Sequence, residues 1–283
     1  MREAVSGHDT ERAASARAAL DGMAKAGAIR EASMSAGDLD ERQFDAFARV
    51  CAALGPRVVS VLAAVLGTSP SDQARVRLEQ IVCGFRDQAV DALAAAANDA
   101  PADACRRCTQ LLGRIGGGRA IAALEAMAGS GQPERTQAAI QTLVGLTDPA
   151  ANDVVMSLLR KSSPGTRLAA IDVIASSRND QAALRLAAVL RDVDPIGAEH
   201  DLALRLVGAL RLVGGPDAAH AIAGALKARR WLALGRTTRF RKLAVSVLAG
   251  MRTPEAAEAL AEAAAGSDLQ LRHLARSARK AGA

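Results

Sequence analysis

Residues 206–219 read LVGALRLVGGPDAA, residues 243–257 read LAVSVLAGMRTPEAA, and residues 138–151 read AAIQTLVGLTDPAA. In each segment an apolar run ends at a short turn that contains Gly, Thr or Asp, and a second run rich in Ala follows the proline. Proline is well tolerated in the first turn of a helix, because the N–H that it lacks would be unpaired there anyway. The three segments therefore predict a helix–turn–helix unit that recurs along the chain.

Each of these prolines is preceded, six residues earlier, by an apolar residue that marks the phase of the repeat. Equivalent residues along the chain are separated by 32, 30, 31, 31, 36 and 38 residues. A nearly constant period in this range is typical of solenoids, in which each repeat is one supersecondary unit. The last two spacings contain insertions, and residues 268–281 form a final half-repeat. We call the seven marker residues the anchors: Val50, Val82, Leu112, Leu143, Ile174, Leu210 and Leu248.

The amino-acid composition favours closely packed helices. Hydrophobic residues make up 50% of the 283 residues and aromatic residues only 2%, with no Tyr and a single Trp. A core of Ala, Leu, Val and Ile lacks large rings and suits thin helical layers. The apolar residues recur at three and four positions and do not alternate, so the pattern is not that of strands. We therefore expect an all-α fold, a right-handed α-solenoid of stacked antiparallel helix pairs.

The period divides the chain into two parts, because residues 1–40 do not follow it and residues 41–283 do. A helix is expected from Thr10 to Ala26, and the Ser-, Met- and Gly-containing residues 32–37 are expected to form a loop. Residues 1–40 then form an N-terminal helix with a linker, or a cap on the solenoid at 41–283.

The repeating unit resembles a HEAT repeat, in particular the short bacterial form that also occurs in phycobilisome lyases. In that form the second helix often opens with an arginine, followed by small residues and a leucine. The resemblance covers residues 41–281 and implies a HEAT-like superhelix, although such a fold hosts many unrelated functions. In the repeat anchored at Leu210, Ala203 replaces the arginine. The matching arginines lie seven residues before an anchor, or within one residue of that position: Arg75, Arg106, Arg135, Arg167 and Arg241.

The sequence contains no clear catalytic or metal-binding pattern. Residues 113–119 are rich in glycine, but no strand precedes them and their spacing matches no phosphate-binding motif. Cys105 and Cys108 have the spacing of metal ligands, yet a structural zinc site needs four ligands and no second pair exists. A redox role for these two cysteines is the alternative. We therefore predict that the protein is not an enzyme and holds no metal or cofactor.

The chain also lacks the signals of membrane insertion and export. It has no continuous apolar stretch of the length that a membrane span or a secretory signal requires. Its four cysteines are too few to form a disulfide framework in a chain of this length. We expect no membrane span, reduced thiols and a cytoplasmic location.

Positive charge is concentrated at the C-terminal end of the chain. Residues 227–283 hold 12 basic and four acidic residues, a net charge of +8, whereas the whole chain carries +6. Between Lys227 and Arg252 there are eight basic residues and no acidic one, in the repeat with the longest insertion. Insertions in solenoids form loops, often on the binding side. The candidate binding residues, which we call the basic cluster, are Lys227, Arg229, Arg230, Trp231, Arg236, Arg239, Arg241 and Lys242.

These observations favour a non-catalytic scaffold or regulatory module that binds a protein partner on a concave face lined by the second helices. The alternative is that the basic cluster binds nucleic acid or an acidic partner, since guanidinium groups suit phosphates and carboxylates. The repeat subtype also suggests a bilin-lyase-like enzyme, although no nucleophile or acid–base pair supports it. If the basic cluster binds nothing, its arginines are solvated and Trp231 folds over the solenoid.

Overall fold

The computed structural model describes residues 27–68, 71–98, 100–177, 181–228 and 233–281. Within these ranges the chain forms α-helices joined by short turns, with two 3-10 segments and no strand. Residue contacts divide the chain into two compact units, Met1–Thr142 (unit 1) and Leu143–Ala283 (unit 2), and the division falls within helix α8 (Pro133–Gly145). The all-α prediction is confirmed for the described ranges.

Unit 1 is built from short helices in two layers. The helices that precede α8 in the chain are α1 (Ala28–Met34), α2 (Glu41–Leu54), α3 (Val58–Thr68), α4 (Asp72–Gly84), α5 (Val90–Ala96), α6 (Ala102–Ile115) and α7 (Gly117–Ala128). The 3-10 segment Gly55–Arg57 joins α2 to α3, and Arg86–Ala89 joins α4 to α5. Helices α1, α3, α5 and α7 pack one on the next, while α4 packs on α6. A helix therefore contacts both its chain neighbour and the helix two places along.

Unit 2 shows the same packing with greater regularity. After α8 its helices are α9 (Pro149–Lys161), α10 (Pro164–Ser176), α11 (Ala182–Asp192), α12 (His200–Val213), α13 (Gly215–Ala225), α14 (Leu234–Gly250), α15 (Pro254–Ala265) and α16 (Leu269–Ala281). Helices α9, α11, α13 and α15 form one layer. Helices α10, α12, α14 and α16 form the other, which we call the second-helix layer. Stacking of helix pairs on their neighbours builds one continuous core. The protein is therefore a helical repeat protein.

The anchors lie in the core of the two layers, as their period predicts. Six of them are no more than 1% exposed, whereas the first, Val50, is only half-buried. The next residue, Cys51, is completely buried in its place. One residue turns an α-helix by about 100°, so the repeat register in α2 is shifted by a single position. The buried anchors are Val82, Leu112, Leu143, Ile174, Leu210 and Leu248.

The prediction of a loop at residues 32–37 is wrong for its first half. Helix α1 continues to Met34, and Ile29 and Ser33 on this helix are buried. The Ser33 hydroxyl donates a hydrogen bond to the Ile29 carbonyl oxygen one turn earlier, which satisfies a side chain that otherwise favours turns. The helix expected from Thr10 to Ala26 lies outside the described residues.

The helical run Glu41–Thr68 is the one segment among the described residues that is long and apolar enough to cross a membrane, by length and composition alone. It consists of α2 and α3, separated by the turn at Pro56. In α3 the side chains of Val59 and Leu62 are completely buried, and this helix packs against α1, α5 and α6. Its apolar residues thus contribute to the core of unit 1.

Candidate binding groove

The predicted insertion loop is largely helical where the structure describes it. Residues 234–238 form the first turn of α14, with Thr237 buried, and Phe240 in the next turn is completely buried. The Thr237 hydroxyl donates to the Ala233 carbonyl oxygen at 2.9 Å, so this early turn is well bonded. The part of the predicted loop that includes three members of the basic cluster lies outside the described residues: Arg229, Arg230 and Trp231.

Arg241, another member of the basic cluster, joins neighbouring repeats. Its side chain is only 5% exposed, and its Nη2 lies 2.9 Å from Asp268 Oδ2. Arg167, an equivalent arginine, has Nη2 2.8 Å from Glu199 Oε1, and its Nε donates to the Leu159 carbonyl oxygen at 2.9 Å. A buried guanidinium group that is paired in this way positions helices, so Arg241 serves the fold.

Two more members of the basic cluster contact other parts of unit 2. Lys227 Nζ lies 3.3 Å from Glu262 Oε1, and both side chains are exposed. Arg236 Nη1 donates to the Gly197 carbonyl oxygen at 3.0 Å. Arg239 is exposed and makes no ion pair or side-chain hydrogen bond with any described residue. The basic cluster is therefore not a single surface of free cations.

Lys242, the last member of the basic cluster, is exposed on α14 and has no ion-pair partner in the described part of the chain. Helices α14 and α16 pack together and hold eight Lys and Arg residues but no acidic residue. The free positive charge at this end of the second-helix layer is thus spread over two helices.

A groove with a volume of about 860 Å³ lies on the exposed face of the second-helix layer, across α10, α12 and α14. Arg239 and Leu243 of α14 line one side, and Ala175 of α10 lines the other. Helix α12 runs along its floor. The groove brings together Arg239 of the basic cluster and residues of α12 that no sequence motif indicated: Asp201, Leu204, Arg205, Gly208, Ala209, Arg211 and Leu212.

The part of α12 that lines the groove carries an apolar row with a gap in its middle. Leu204, Gly208 and Leu212 are spaced by four residues and therefore share one face of α12. Leu212 is 76% exposed, although a leucine of this size gains substantially from burial. Apart from its chain neighbours and the backbone of its own helix, a Cβ atom built at Gly208 would meet no atom of the described residues within 4 Å. We call this gap between the two leucines the notch.

An ion pair crosses the groove between α10 and α12. Arg205 Nε donates to Asp172 Oδ1 at 3.0 Å and Nη2 donates to Asp172 Oδ2 at 2.6 Å, a bidentate pair. These hydrogen bonds, and the attraction between the charges, raise the pKa of the Arg205 guanidinium. Because each charge is matched by the other, this pair leaves little net charge in the groove.

Two other guanidinium groups at the groove are free. Arg211 of α12 and Arg239 of α14 are exposed, and neither makes an ion pair or side-chain hydrogen bond within the described ranges. Asp201 is the one acidic lining residue without such a partner there, and it lies at the opposite end of α12 from Arg211. The end of the groove around Arg211 is therefore positively charged.

Gly208 has no role in packing that would explain its place inside α12. Glycine in the middle of a helix is less favourable than alanine by about 0.5–1 kcal/mol. By contrast, a Cβ atom on Gly67 in α3 would lie 2.9 Å from the Ala104 Cβ atom, so that glycine permits close helix contact. The open space above Gly208 thus belongs to the groove and not to the core.

We expect Gly208→Ala to raise the free energy of unfolding by about 0.5–1 kcal/mol, because it removes a helix-weakening residue without a clash. The matched change Gly67→Ala should lower it, since overpacking in a core costs about 1–3 kcal/mol. Urea denaturation followed by circular dichroism measures both. A destabilised Gly208→Ala variant would show that the notch is filled in the folded protein.

The remaining candidates from the sequence are part of the fold in the described residues. Burial raises the pKa of the Cys108 thiol to about 11, and burial also raises the pKa of Cys105, which disfavours the reactive thiolate form. In the glycine-rich segment Gly116 has φ +68° and ends α6, as expected of a helix terminator. No group of three or more metal-ligating side chains occurs among the residues described.

Comparisons with known proteins give no family for this chain. No family model matches it, and no curated protein matches it. Human deoxyhypusine hydroxylase aligns with 81% of this chain and 97% of its own at 17% identity, with a TM-score of 0.35. An engineered protein aligns with 93% of this chain and 80% of its own at 15% identity, with a TM-score of 0.30. Similarity at this level assigns no function.

Proposed function

We propose that this chain is a HEAT-type, non-catalytic binding scaffold, and that its protein partner docks in the groove on the second-helix layer of unit 2. The observation that carries the proposal is Leu212, whose side chain is 76% exposed at the edge of an open groove. Large exposed apolar side chains that line a concavity mark interaction sites more often than isolated ones do. A partner that covers Leu212 would remove this apolar surface from water.

The position of the groove supports a binding role. It extends over three consecutive helices of one layer, and these helices are held by the buried anchors Ile174, Leu210 and Leu248. A rigid scaffold of this kind keeps the binding side chains in place before the partner arrives, which lowers the entropic cost of association.

We expect Leu212→Gln to abolish capture of the partner, because a polar side chain replaces the most exposed leucine of the groove while the fold is unaffected. The matched control is Leu184→Gln in α11, which changes a 42% exposed leucine on the other layer of the same unit. Affinity capture with the wild type and both variants, followed by quantitative mass spectrometry, identifies proteins lost only with Leu212→Gln. If every captured protein is retained by that variant, the groove is not the binding site.

The second candidate function is binding of nucleic acid through α14 and α16. It is favoured by the absence of acidic residues from both helices and by free bases such as Lys242 and Arg279. Electrostatic binding of this kind weakens steeply as salt rises, independently of base sequence. A nuclease-sensitive association that Leu212→Gln leaves unchanged would support this function over the groove.

A further inference from the structure

From the charges and the notch we propose that the partner presents an acidic amphipathic helix to the groove, with one apolar side chain inserted over Gly208 between Leu204 and Leu212. This inference rests on the proposed function and adds the chemistry of the partner. It uses the shape of the α12 surface and the two guanidinium groups beside it.

The length of the groove suits a helical segment. From Asp201 to Leu212 the α12 axis extends by about 16 Å, the length of about three turns of a second helix. The row of Leu204, Gly208 and Leu212 has the four-residue spacing of the ridges that helices use to pack against each other. The gap at Gly208 lets a side chain from a facing helix enter that row.

Among the described residues, the groove lining holds two free guanidinium groups against one free carboxylate, that of Asp201 at the far end of α12 from Arg211, so its unpaired charge is net positive. Arg211 and Arg239 are exposed, lack partners among the described residues and lie on two adjacent helices of the groove. Arg205 is already matched by Asp172. Carboxylates on the flanks of a docked helix can form charge-assisted hydrogen bonds with the two free guanidinium groups. A basic helix would instead bring like charges together, which disfavours it.

The first test uses libraries of displayed peptides, panned against the full chain, so that the partner need not be known. We expect the enriched peptides to combine Asp or Glu with a leucine-class residue at helical spacing. Gly208→Leu should weaken their binding at least tenfold, because its side chain would occupy the notch, where a Cβ atom meets no neighbour within 4 Å. Gly208→Ala is the control and should bind far more tightly than Gly208→Leu. Enrichment of basic or uncharged peptides, or of none, would overturn the proposal.

The second test isolates the charges. The double variant Arg211→Gln, Arg239→Gln should weaken the enriched peptides about three- to tenfold, the range for two exposed ion pairs. The control Arg191→Gln, Arg252→Gln removes the same charge from exposed sites outside the groove and should leave affinity unchanged. Fluorescence anisotropy measures both.

The outcomes separate this proposal from the proposed function. If Leu212→Gln abolishes peptide binding but the Arg211, Arg239 double variant does not weaken it, the groove binds a partner of other chemistry and only this inference fails. If the peptides bind the Leu212→Gln variant as tightly as they bind the wild type, the groove is not the binding site and the proposed function fails as well. Loss of duplex DNA binding by the double variant, with no effect on peptides, would assign the two arginines to nucleic acid and overturn the inference.

Discussion

Leu210→Asp should unfold unit 2 or leave it without fixed packing. The side chain of Leu210 is completely buried, so the change removes a large apolar contact and places a carboxylate out of contact with water. Losing a buried leucine alone costs about 2–5 kcal/mol, and burying an unpaired charge adds several more. The sum approaches the total stability of a domain, about 5–15 kcal/mol. Thermal and urea denaturation, followed by circular dichroism, would show a lost or strongly lowered transition.

The control lies two residues further along the same helix. Leu212→Asp changes the same residue type, but its side chain is 76% exposed, so little packing is lost. Its cost should be about 1 kcal/mol, from lower helix propensity and from a negative charge near the helix C-terminus. Equal destabilisation by the two substitutions would show that Leu212 belongs to the core, and would remove the main argument for the groove.

Arg241→Ala should lower the free energy of unfolding by about 2–3 kcal/mol, because it breaks the ion pair with Asp268. This is less than the cost of breaking a fully buried ion pair, since the Asp268 carboxylate is partly solvated. The stem of Arg241 is buried as well, so the change also removes packing. Arg239→Ala, two residues earlier, removes an exposed arginine and should change stability by no more than about 0.5 kcal/mol. Urea denaturation at pH 7 measures the free energy of unfolding of both variants. Similar losses of stability in the two variants would contradict the structural role of Arg241.

The same variant should change how stability depends on pH. A hydrogen bond from the Leu271 backbone N–H holds the pKa of Asp268 below its ordinary value, and the Arg241 contacts lower that pKa further, against the opposing effect of burial. A carboxyl group with a lower pKa in the folded state stabilises the fold above its unfolded pKa. That contribution is lost as the pH falls below about 4. Arg241→Ala should therefore show a smaller loss of stability on acidification than the wild type.

The periodicity of apolar residues was enough to predict the helices and most of the core. Leu112, Leu143 and Ile174 are buried because a constant period keeps one face of each helix against the next layer. Val50 departs from this rule, and its neighbour Cys51 is buried instead. The rotation of α2 about its axis decides which of these two residues is buried. That rotation depends on packing between residues far apart in the sequence, which the local pattern of apolar residues does not indicate.

The candidate site was predicted less well, because net charge does not reveal which charges are already paired. Arg241 and Arg239 were both placed in the basic cluster, yet Arg241, which also matches the repeat arginine, is buried against Asp268, and Arg239 is exposed at the groove. Two signals of the groove were present in the sequence. Leu212 falls outside the apolar phase set by Leu210, and Gly208 interrupts a helix far from either end.

The contacts of each helix in unit 2 are mainly with helices one and two places along the chain, and this limits how far local unfolding spreads. In such arrays opening can begin at one repeat and pass to its neighbour, so amide hydrogen exchange reports each repeat separately. A partner in the groove would contact α10, α12 and α14 together. Local unfolding of any one of these helices would then also require release of the partner, which adds the free energy of binding to the free energy of opening. Exchange should slow in all three and in the intervening α11 and α13, while α16 keeps its free rate. Binding in the groove would therefore be detectable as slower amide exchange in helices that the partner does not contact, because they would unfold together with the helices that it does contact.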